Sequence, residues 1–239
     1  MKNVLIVGGT SGLGLELALL YYDASCNVTV TGTRSAEDAG IKEDEHLHVV
    51  QQNLNFTPNS GLTMSTDNVL RQVGRVDLLI YTAGFYQGDE IDELREIDIN
   101  NMFSVGLKAP TIYIRDILAM EESYLPGFIA ITSTSQWTPR LNEPIYTSVK
   151  AGLHMLANSV SLDERIGKVL VVAPAGMNTP FWRNKKTSEE EMKNYLDPKW
   201  VAEKVIELYD EKRHYEFRFA KILRDPPRTV EQETRYSNK

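Results

Sequence analysis

The chain has 239 residues, of which 42% are hydrophobic and 25% charged, and its formal net charge is -7. These values fit one α/β domain of ordinary globular composition and exclude a disordered or fibrous chain. The acidic balance argues against a nucleic-acid partner, because binding to phosphates usually relies on a basic face. The apolar run 4–7 is too short for a signal peptide, and we expect no membrane association. The single cysteine, Cys26, favours a reducing compartment, so the cytoplasm is the expected location.

Short runs rich in Val, Ile and Leu alternate with longer stretches of helical spacing. The predicted strands are 4–7, 28–31, 47–51, 76–81, 127–132, 169–173 and 215–223. Strands buried on both faces have this continuous apolar character, and each interval between them is long enough for a crossover helix. The pattern predicts a doubly wound α/β fold, with a mainly parallel seven-stranded sheet and helices on both faces.

Helices are predicted coarsely between these strands. They cover 13–22, 67–73, one or two segments within 91–121, then 146–161 and 199–212. The last begins after Asp197 and Pro198, with the aspartate as N-cap and the proline as first helical residue. The chain shows no linker or repeat, so 1–239 is predicted to form one domain. Pro226 and Pro227 are expected to stop the seventh strand, and 228–239 to form a loose tail.

A glycine-rich turn at 8–14 joins the first predicted strand to the first predicted helix. Glycines there permit a tight turn and a close approach of the backbone, so that free amides at the helix N-terminus can bind a pyrophosphate. Its position favours a dinucleotide site over a flexible turn. The residues assigned to it are Gly8, Thr10, Ser11, Gly12, Leu13 and Gly14.

The choice of dinucleotide depends on the end of the second predicted strand, where Thr33 and Arg34 stand and no acid is present. A carboxylate there would bind the ribose diol and repel a 2′-phosphate, whereas a guanidinium attracts that phosphate. Arg34 therefore predicts NADP(H) in preference to NAD(H). A solvated loop arginine is the alternative.

The sequence Tyr146-Thr-Ser-Val-Lys150, taken with the glycine turn, resembles the short-chain dehydrogenase/reductase family over residues 4–179. The resemblance implies a Rossmann-type fold with Tyr146 as the acid and base and Lys150 as a ligand of the cofactor ribose. Residues four apart share a helix face, so the Lys150 ammonium can stabilise the Tyr146 phenolate. Tyrosine ordinarily titrates near ~10, and a nearby cation brings that value towards neutrality.

The resemblance assigns two further catalytic residues. Ser133, thirteen positions before Tyr146, would bind the substrate carbonyl, with Thr134 and Ser135 as alternatives. Asn100 would hold a water in the proton relay, and Asn101 is the competing choice. The predicted cofactor site also includes Asn53, Leu54, Ala83, Gly84, Pro174, Ala175, Gly176, Met177 and Thr179.

The sequence departs from the family pattern at three places. Tyr81 and Thr82 replace the usual pair of asparagines before Ala-Gly, and this puts the bracing of that strand end in doubt. Ala175 occupies a glycine position, and Val7 replaces a threonine. None of these changes removes a catalytic group.

The predicted function is that of an NADP(H)-dependent oxidoreductase that interconverts a small-molecule carbonyl and an alcohol. A non-catalytic NADP(H)-binding regulator or redox sensor is the alternative, and an α/β domain for another nucleotide is a third. No metal is expected, since the four histidines have no ligand spacing. Substrate loops are predicted at 85–90, 135–145 and 180–196, where Phe85, Trp137, Phe181 and Trp182 either line a pocket or pack the loops. The helices within 91–120 and 146–161 are expected to form a two-fold interface of a homodimer or homotetramer.

Overall fold

The computed structural model describes residues 1–55, 61–86, 88–121, 123–182, 192–212 and 214–236. They form an eight-stranded sheet in the order β3-β2-β1-β4-β5-β6-β7-β8. The strands are β1 Asn3–Val7, β2 Asn27–Gly32, β3 Leu47–Gln51, β4 Leu78–Tyr81, β5 Leu125–Ile131, β6 Ile166–Pro174, β7 Tyr215–Arg224 and β8 Pro227–Tyr236. Strands β1 to β7 pair in parallel, and β8 pairs antiparallel with β7. The doubly wound α/β class is confirmed.

The helices connect successive parallel strands and cover both faces of the sheet. They are α1 Gly12–Asp23, α2 Ala36–Ala39, α3 Gly61–Val73, α4 Glu96–Phe103, α5 Ala109–Leu118, α6 Pro144–Val160 and α7 Pro198–Tyr209. A π-helix, Ser104–Lys108, joins α4 to α5, and short 3-10 turns lie at Thr134–Gln136 and Pro180–Trp182. None of the helices in the described ranges is long and apolar enough to cross a membrane.

Alternate strand residues build two cores, because successive side chains of a strand point to opposite faces. Leu5 and Val7 pack with α3, α5 and α6 in one core, while Val4 and Ile6 pack with α1 and α7 in the other. The strand order reverses between β1 and β4. In open α/β sheets, this point at the carboxyl ends of the strands is where ligands bind.

The prediction of seven strands and a loose tail from 228 is wrong, because Pro227–Tyr236 forms β8. A polar sequence suits an edge strand, since its outer face meets water. The strand also supplies partners to Arg218, which is 1% exposed and whose Nε lies 3.3 Å from Thr234 Oγ1 and 3.7 Å from Glu231 Oε2. Pro226 and Pro227 do end the straight course of β7, and the chain reverses there. Residues 237–239 lie outside the described residues.

The helix predictions hold with shifted bounds. The segment 67–73 is the C-terminal half of α3, and 91–121 contains α4, the π-helix and α5. Asp197 is the N-cap of α7, because its carboxylate accepts hydrogen bonds from the Lys199 and Trp200 amides at 2.7 and 3.0 Å.

Candidate functional site

A cavity of about 680 Å³ opens at the carboxyl ends of the parallel strands, next to the point where the strand order reverses. Every residue predicted to bind the cofactor lines it, from the glycine turn to Thr179, and Ser133 does so as well. Parallel strands end at the same edge of a sheet, so loops far apart in sequence meet here. Of the predicted catalytic and cofactor-binding residues, Asn100 alone does not line the cavity.

Backbone crowding explains the glycines of the turn after β1. A Cβ on Gly14 would lie 2.3 Å from the Gly8 carbonyl oxygen, and one on Gly8 would lie 2.6 Å from the Ala83 amide nitrogen. Gly8 and Gly12 also have positive φ angles, +92° and +55°, which glycine adopts without strain. The turn therefore packs tightly against β4 and leads directly into the N-terminus of α1, where free amides favour a phosphate group.

Tyr81 and Thr82 brace the end of β4 in place of the family's asparagines. The Thr82 hydroxyl and amide both donate to the Val7 carbonyl at 2.9 Å, which ties β4 to β1 beside the glycine turn. Tyr81 is fully buried and its hydroxyl donates to the Val105 carbonyl in the π-helix. The hydrogen bonds placed in doubt by the sequence departure are thus supplied by other groups.

At the other end of the cavity, Thr33 and Arg34 follow β2, and Asn53 and Leu54 follow β3. Arg34 is half-buried and forms no ion pair with any residue in the described ranges. The first two acidic residues after Arg34 are Glu37 and Asp38. Glu37 is exposed, and Asp38 accepts a hydrogen bond from Ser35 at 2.7 Å. This part of the cavity therefore presents a guanidinium without a carboxylate partner.

Tyr146 and Lys150 lie one turn apart on α6, only 7% and 5% exposed. The Lys150 Nζ lies 5.8 Å from the centre of the Tyr146 ring and donates to the Ile131 carbonyl at 3.1 Å. Burial lowers the Lys150 pKa to about 8. Burial also raises the Tyr146 pKa to about 12, although a hydrogen bond with Ser133 acts in the opposite direction.

Among the three hydroxyl residues after β5, Ser133 has the closest tie to Tyr146. It is the N-cap of the Thr134–Gln136 turn, accepts a hydrogen bond from the Ser135 amide at 3.1 Å, and acts to lower the pKa of Tyr146. The Ser135 hydroxyl is instead held between Arg140 and Glu143, at 3.1 and 3.4 Å. The geometry thus favours Ser133 over Ser135 as the partner of Tyr146.

Asn100 lies in α4, half-buried and outside the cavity lining, and the same holds for Asn101. Between α4 and Lys150 there is a space of about 10 Å³, lined by residues that include Met102, Val105 and Lys150. This is roughly the volume that one water needs. No asparagine is among its lining residues, so the relay role of Asn100 stays a prediction.

The end of the cavity next to the predicted substrate loops is aromatic and charged. Phe85, Phe181 and Trp182 line it, as do Arg140 and Glu143 from the predicted loop 135–145. Trp137 does not line the cavity. Its ring packs 5.9 Å from that of Phe219, on the side of the loop that faces the sheet. Residues 87 and 183–191, which belong to the predicted loops, lie outside the described residues.

Several lining residues were not named from the sequence, of which Arg224 and Tyr195 are the most distinctive, although Tyr195 falls within the predicted loop 180–196. The Arg224 guanidinium lies 5.2 Å from the centre of the Tyr195 ring, and both side chains contact the position of Gly176. No local motif marks Arg224, because only the pairing of β7 with β6 brings its strand end to the site. In the described part of the chain, no cluster of His, Cys, Asp or Glu side chains could hold a metal ion.

The fold and this cavity define a doubly wound α/β protein with a large site at the carboxyl ends of its parallel strands, and the comparisons give the family. The family model of short chain dehydrogenases matches residues 2–190, and the chain belongs to the short-chain dehydrogenase/reductase family.

Curated and solved relatives agree with this assignment. An uncharacterised oxidoreductase of Staphylococcus saprophyticus is 24% identical over 227 residues, which cover 89% of this chain and 93% of the relative. The 2,3-dihydro-2,3-dihydroxybenzoate dehydrogenase of Escherichia coli is 23% identical over 192 residues, covering 79% and 75%. The structure of ElxO with NADP bound has a TM-score of 0.75 and 20% identity, and the match covers 93% of this chain and 97% of that one.

The buried Lys150 generates a prediction on stability. Below pH 8, the protonated lysine is buried in the folded state at a cost. Between pH 8 and about 10.5, the folded state has lost this proton and the unfolded state keeps it, so stability rises with pH. Without cofactor, Lys150→Met should raise the free energy of unfolding at pH 7 by about 3 kcal/mol, and the gain should shrink towards pH 10.

Urea unfolding at pH 7, 8.5 and 10 measures this difference. Lys199→Met, an exposed change on α7, controls for the general loss of one positive charge. A Lys150→Met protein that is less stable than the wild type at every pH would contradict the prediction.

Proposed function

We propose that this protein is an NADP(H)-dependent oxidoreductase that interconverts a carbonyl and an alcohol, with Tyr146 as its acid and base. The observation that carries the proposal is that Tyr146, Ser133 and the buried Lys150 line the same cavity as the glycine turn, with Lys150 one helical turn from Tyr146. The crowded glycines support the fit to a dinucleotide, because a Cβ on Gly14 would occupy the space of the turn itself. The family shown by the comparisons supports the reaction class.

Each catalytic residue has a separate task. The reduced nicotinamide, when bound, supplies the hydride. Ser133 donates a hydrogen bond to the carbonyl oxygen, where negative charge develops, and Tyr146 donates the proton that completes the alcohol. Lys150 binds the cofactor ribose and stabilises the Tyr146 phenolate once the proton has left. Asn100 is retained as the residue expected to support replacement of that proton.

Tyr146→Phe should reduce hydride transfer by roughly 10²- to 10⁴-fold while leaving NADPH affinity nearly unchanged, because it removes the proton and retains the ring. Lys150→Met should weaken both, since the lysine acts on the ribose in the ground state as well. Single-turnover hydride transfer and NADPH titration measure the two effects, after a panel of carbonyls and alcohols has been screened by NADPH absorbance.

Tyr124→Phe, a change at a half-exposed tyrosine outside the cavity lining, serves as the control. Wild-type transfer by Tyr146→Phe would overturn the mechanism. NADPH binding without transfer to any compound of the panel would instead favour a regulator or redox sensor.

The preference for NADP(H) over NAD(H) is the finer part of the proposal. It is supported by Arg34, which lines the cavity and has no ion-pair partner in the described ranges. The two residues that follow β2 are a threonine and this arginine, so no carboxylate stands where it would repel a 2′-phosphate. A guanidinium can bind the 2′-phosphate with two hydrogen bonds. The NADP in the ElxO structure is a property of that protein and serves here as support.

NADPH should bind about tenfold more tightly than NADH, a difference of about 1.4 kcal/mol that one charge-assisted pair can supply. Arg34→Gln should remove this preference by weakening NADPH alone. Titration of both cofactors at moderate salt tests it, with Arg165→Gln as a control at an exposed arginine paired with Asp163. Equal affinities in the wild type, or a preference for NADH, would refute the role of Arg34.

We also propose that residues 1–239 act as one catalytic domain on a small-molecule substrate, without nucleic acid or a membrane. The family supports a small-molecule substrate, and the E. coli relative carries the name of a 2,3-dihydro-2,3-dihydroxybenzoate dehydrogenase. The cytoplasmic location expected from the single cysteine stays a prediction.

A homodimer or homotetramer completes the proposal. Of the apolar residues near α4 and α6, Met102, Val105 and Leu153 are buried in the core, but Phe103 and Met155 remain 41% and 60% exposed. Light scattering at micromolar concentration should therefore give two or four times the mass of one chain. Met155→Glu should shift the protein towards the monomer, because it places a charge in the interface.

Met64→Glu is the matched control, since Met64 is 70% exposed on α3, away from these helices. A monomeric wild-type protein at the same concentration would refute the interface.

A further inference from the structure

Arg140 is a cation at the substrate end of the cavity that the proposed chemistry does not use. It lies in the loop between the Thr134–Gln136 turn and α6, and its side chain is 45% exposed. Its Nε donates to the Ser135 hydroxyl at 3.1 Å and lies 3.6 Å from Glu143 Oε2. Neither Nη group donates a hydrogen bond to a residue in the described part of the chain. The guanidinium is therefore held on one side only.

Glu143 fixes the orientation of this guanidinium. Its side chain is 12% exposed, and its carboxylate is hydrogen-bonded to Tyr86 and accepts a bond from Ser135 at 3.4 Å. The carboxylate is thus tied to the loop after β4 and to the turn after β5. A planar guanidinium that is anchored through Nε still offers the two parallel N–H donors of its Nη groups. These donors match the two oxygens of a carboxylate.

Arg140 is also close enough to the reacting group to act on it. The positive charge of Arg140 lowers the Tyr146 pKa, and the negative charge of Glu143 raises it. Tyr86 and Ser133 also face this hydroxyl, and Lys150 lies one turn along α6. The second unassigned cation, Arg224, is not among the charges that act on Tyr146. An anion held by Arg140 would therefore lie in the same cavity as a carbonyl at Tyr146.

The remaining wall suits the uncharged part of such a molecule. The Phe181 ring lies 5.8 Å from the Tyr146 ring and 5.0 Å from the Trp182 ring, and Trp182 Nε1 donates to the Met177 carbonyl at 2.9 Å. The aromatic faces are thus fixed in place beside the proton donor. A planar or apolar body can stack there while its charged end reaches Arg140.

We propose that Arg140 binds a carboxylate of the substrate, so that this enzyme acts on carbonyl compounds or alcohols that carry a carboxylate. Glu143 and Ser135 are positioning residues, since they hold the guanidinium and need not touch the substrate. This substrate class rests on the proposed oxidoreductase function. Two separate measurements distinguish a failure of the substrate class from a failure of that function.

The first measurement is binding and needs no turnover. Benzoate and benzamide have the same ring and differ in charge, and each is titrated by calorimetry into protein saturated with NADPH. Benzoate should bind about tenfold more tightly than benzamide, as expected of one charge-assisted pair. Arg140→Gln should abolish the difference, and Arg140→Lys should retain part of it because the charge remains without the fork. Arg165→Gln should leave it unchanged.

Equal binding of benzoate and benzamide overturns the proposal. A preference for benzoate that survives Arg140→Gln also overturns it. The same holds if Arg224→Gln removes the preference and Arg140→Gln leaves it in place.

The second measurement is turnover, with 4-carboxybenzaldehyde compared with its methyl ester. The acid should have about a tenfold lower KM, and Arg140→Gln should remove this advantage with little change in kcat. Reduction of both compounds with equal KM overturns the substrate class and leaves the oxidoreductase function standing. If neither compound is reduced, the reaction proposed for these substrates fails, and the binding of benzoate still decides the role of Arg140.

Discussion

The hydrogen bond from Lys150 Nζ to the Ile131 carbonyl joins the two elements on which the candidate chemistry depends. Lys150 belongs to α6, which also carries Tyr146, and Ile131 ends β5, two residues before Ser133. A buried ammonium loses its hydration, and a backbone carbonyl restores only part of that loss. The lysine therefore stays partly unsatisfied and close to its own deprotonation, with a pKa of about 8. Such a group exchanges protons readily near neutral pH, at a cost in stability that the two cores must offset.

The charged side chains that line the cavity are mostly positive, although the chain as a whole is negative. The chain has a net charge of -7, yet the charged residues lining the described cavity are Arg34, Arg140, Lys150 and Arg224 against Glu143 alone. A low-dielectric cleft with one dominant sign of charge concentrates ligands of the other sign. Arg34 and the N-terminus of α1 match the phosphates of a dinucleotide. The excess of positive charge at the other end of the cavity is more than a cofactor requires. It is the general reason to expect an anionic substrate.

Local sequence signals predicted the parts of the site whose geometry is local. The glycine turn was predictable because the backbone crowding at Gly8 and Gly14 lies between adjacent elements, and the pair Tyr146 and Lys150 because four residues make about one helical turn. Arg224 had no such signal, since pairing of β7 with β6 brings its strand end to the cavity. Tyr195 reaches the cavity because the next residue, Leu196, forms a β-bridge with Met177. The strand β8 was missed for a related reason. Its polar sequence reads as a tail until the buried Arg218 on β7 is seen to require partners.

The bracing of β4 shows how a family pattern can change without loss of the site. Thr82 is shorter than asparagine, but its hydroxyl reaches the Val7 carbonyl because β1 and β4 are neighbours in register, with Val7 opposite Tyr81. Thr82 Oγ1 would lie 2.6 Å from a Cβ on Gly14, so the short side chain also leaves the helix N-terminus of α1 close to the strand. Tyr81 extends to the opposite face and binds the Val105 carbonyl in the π-helix. A π-helix frees carbonyls from regular pairing, and π-bulges are frequent at functional sites. Tyr81 thus anchors the segment that carries Val105 next to Lys150. This connects a substitution at the end of β4 to the wall behind that lysine.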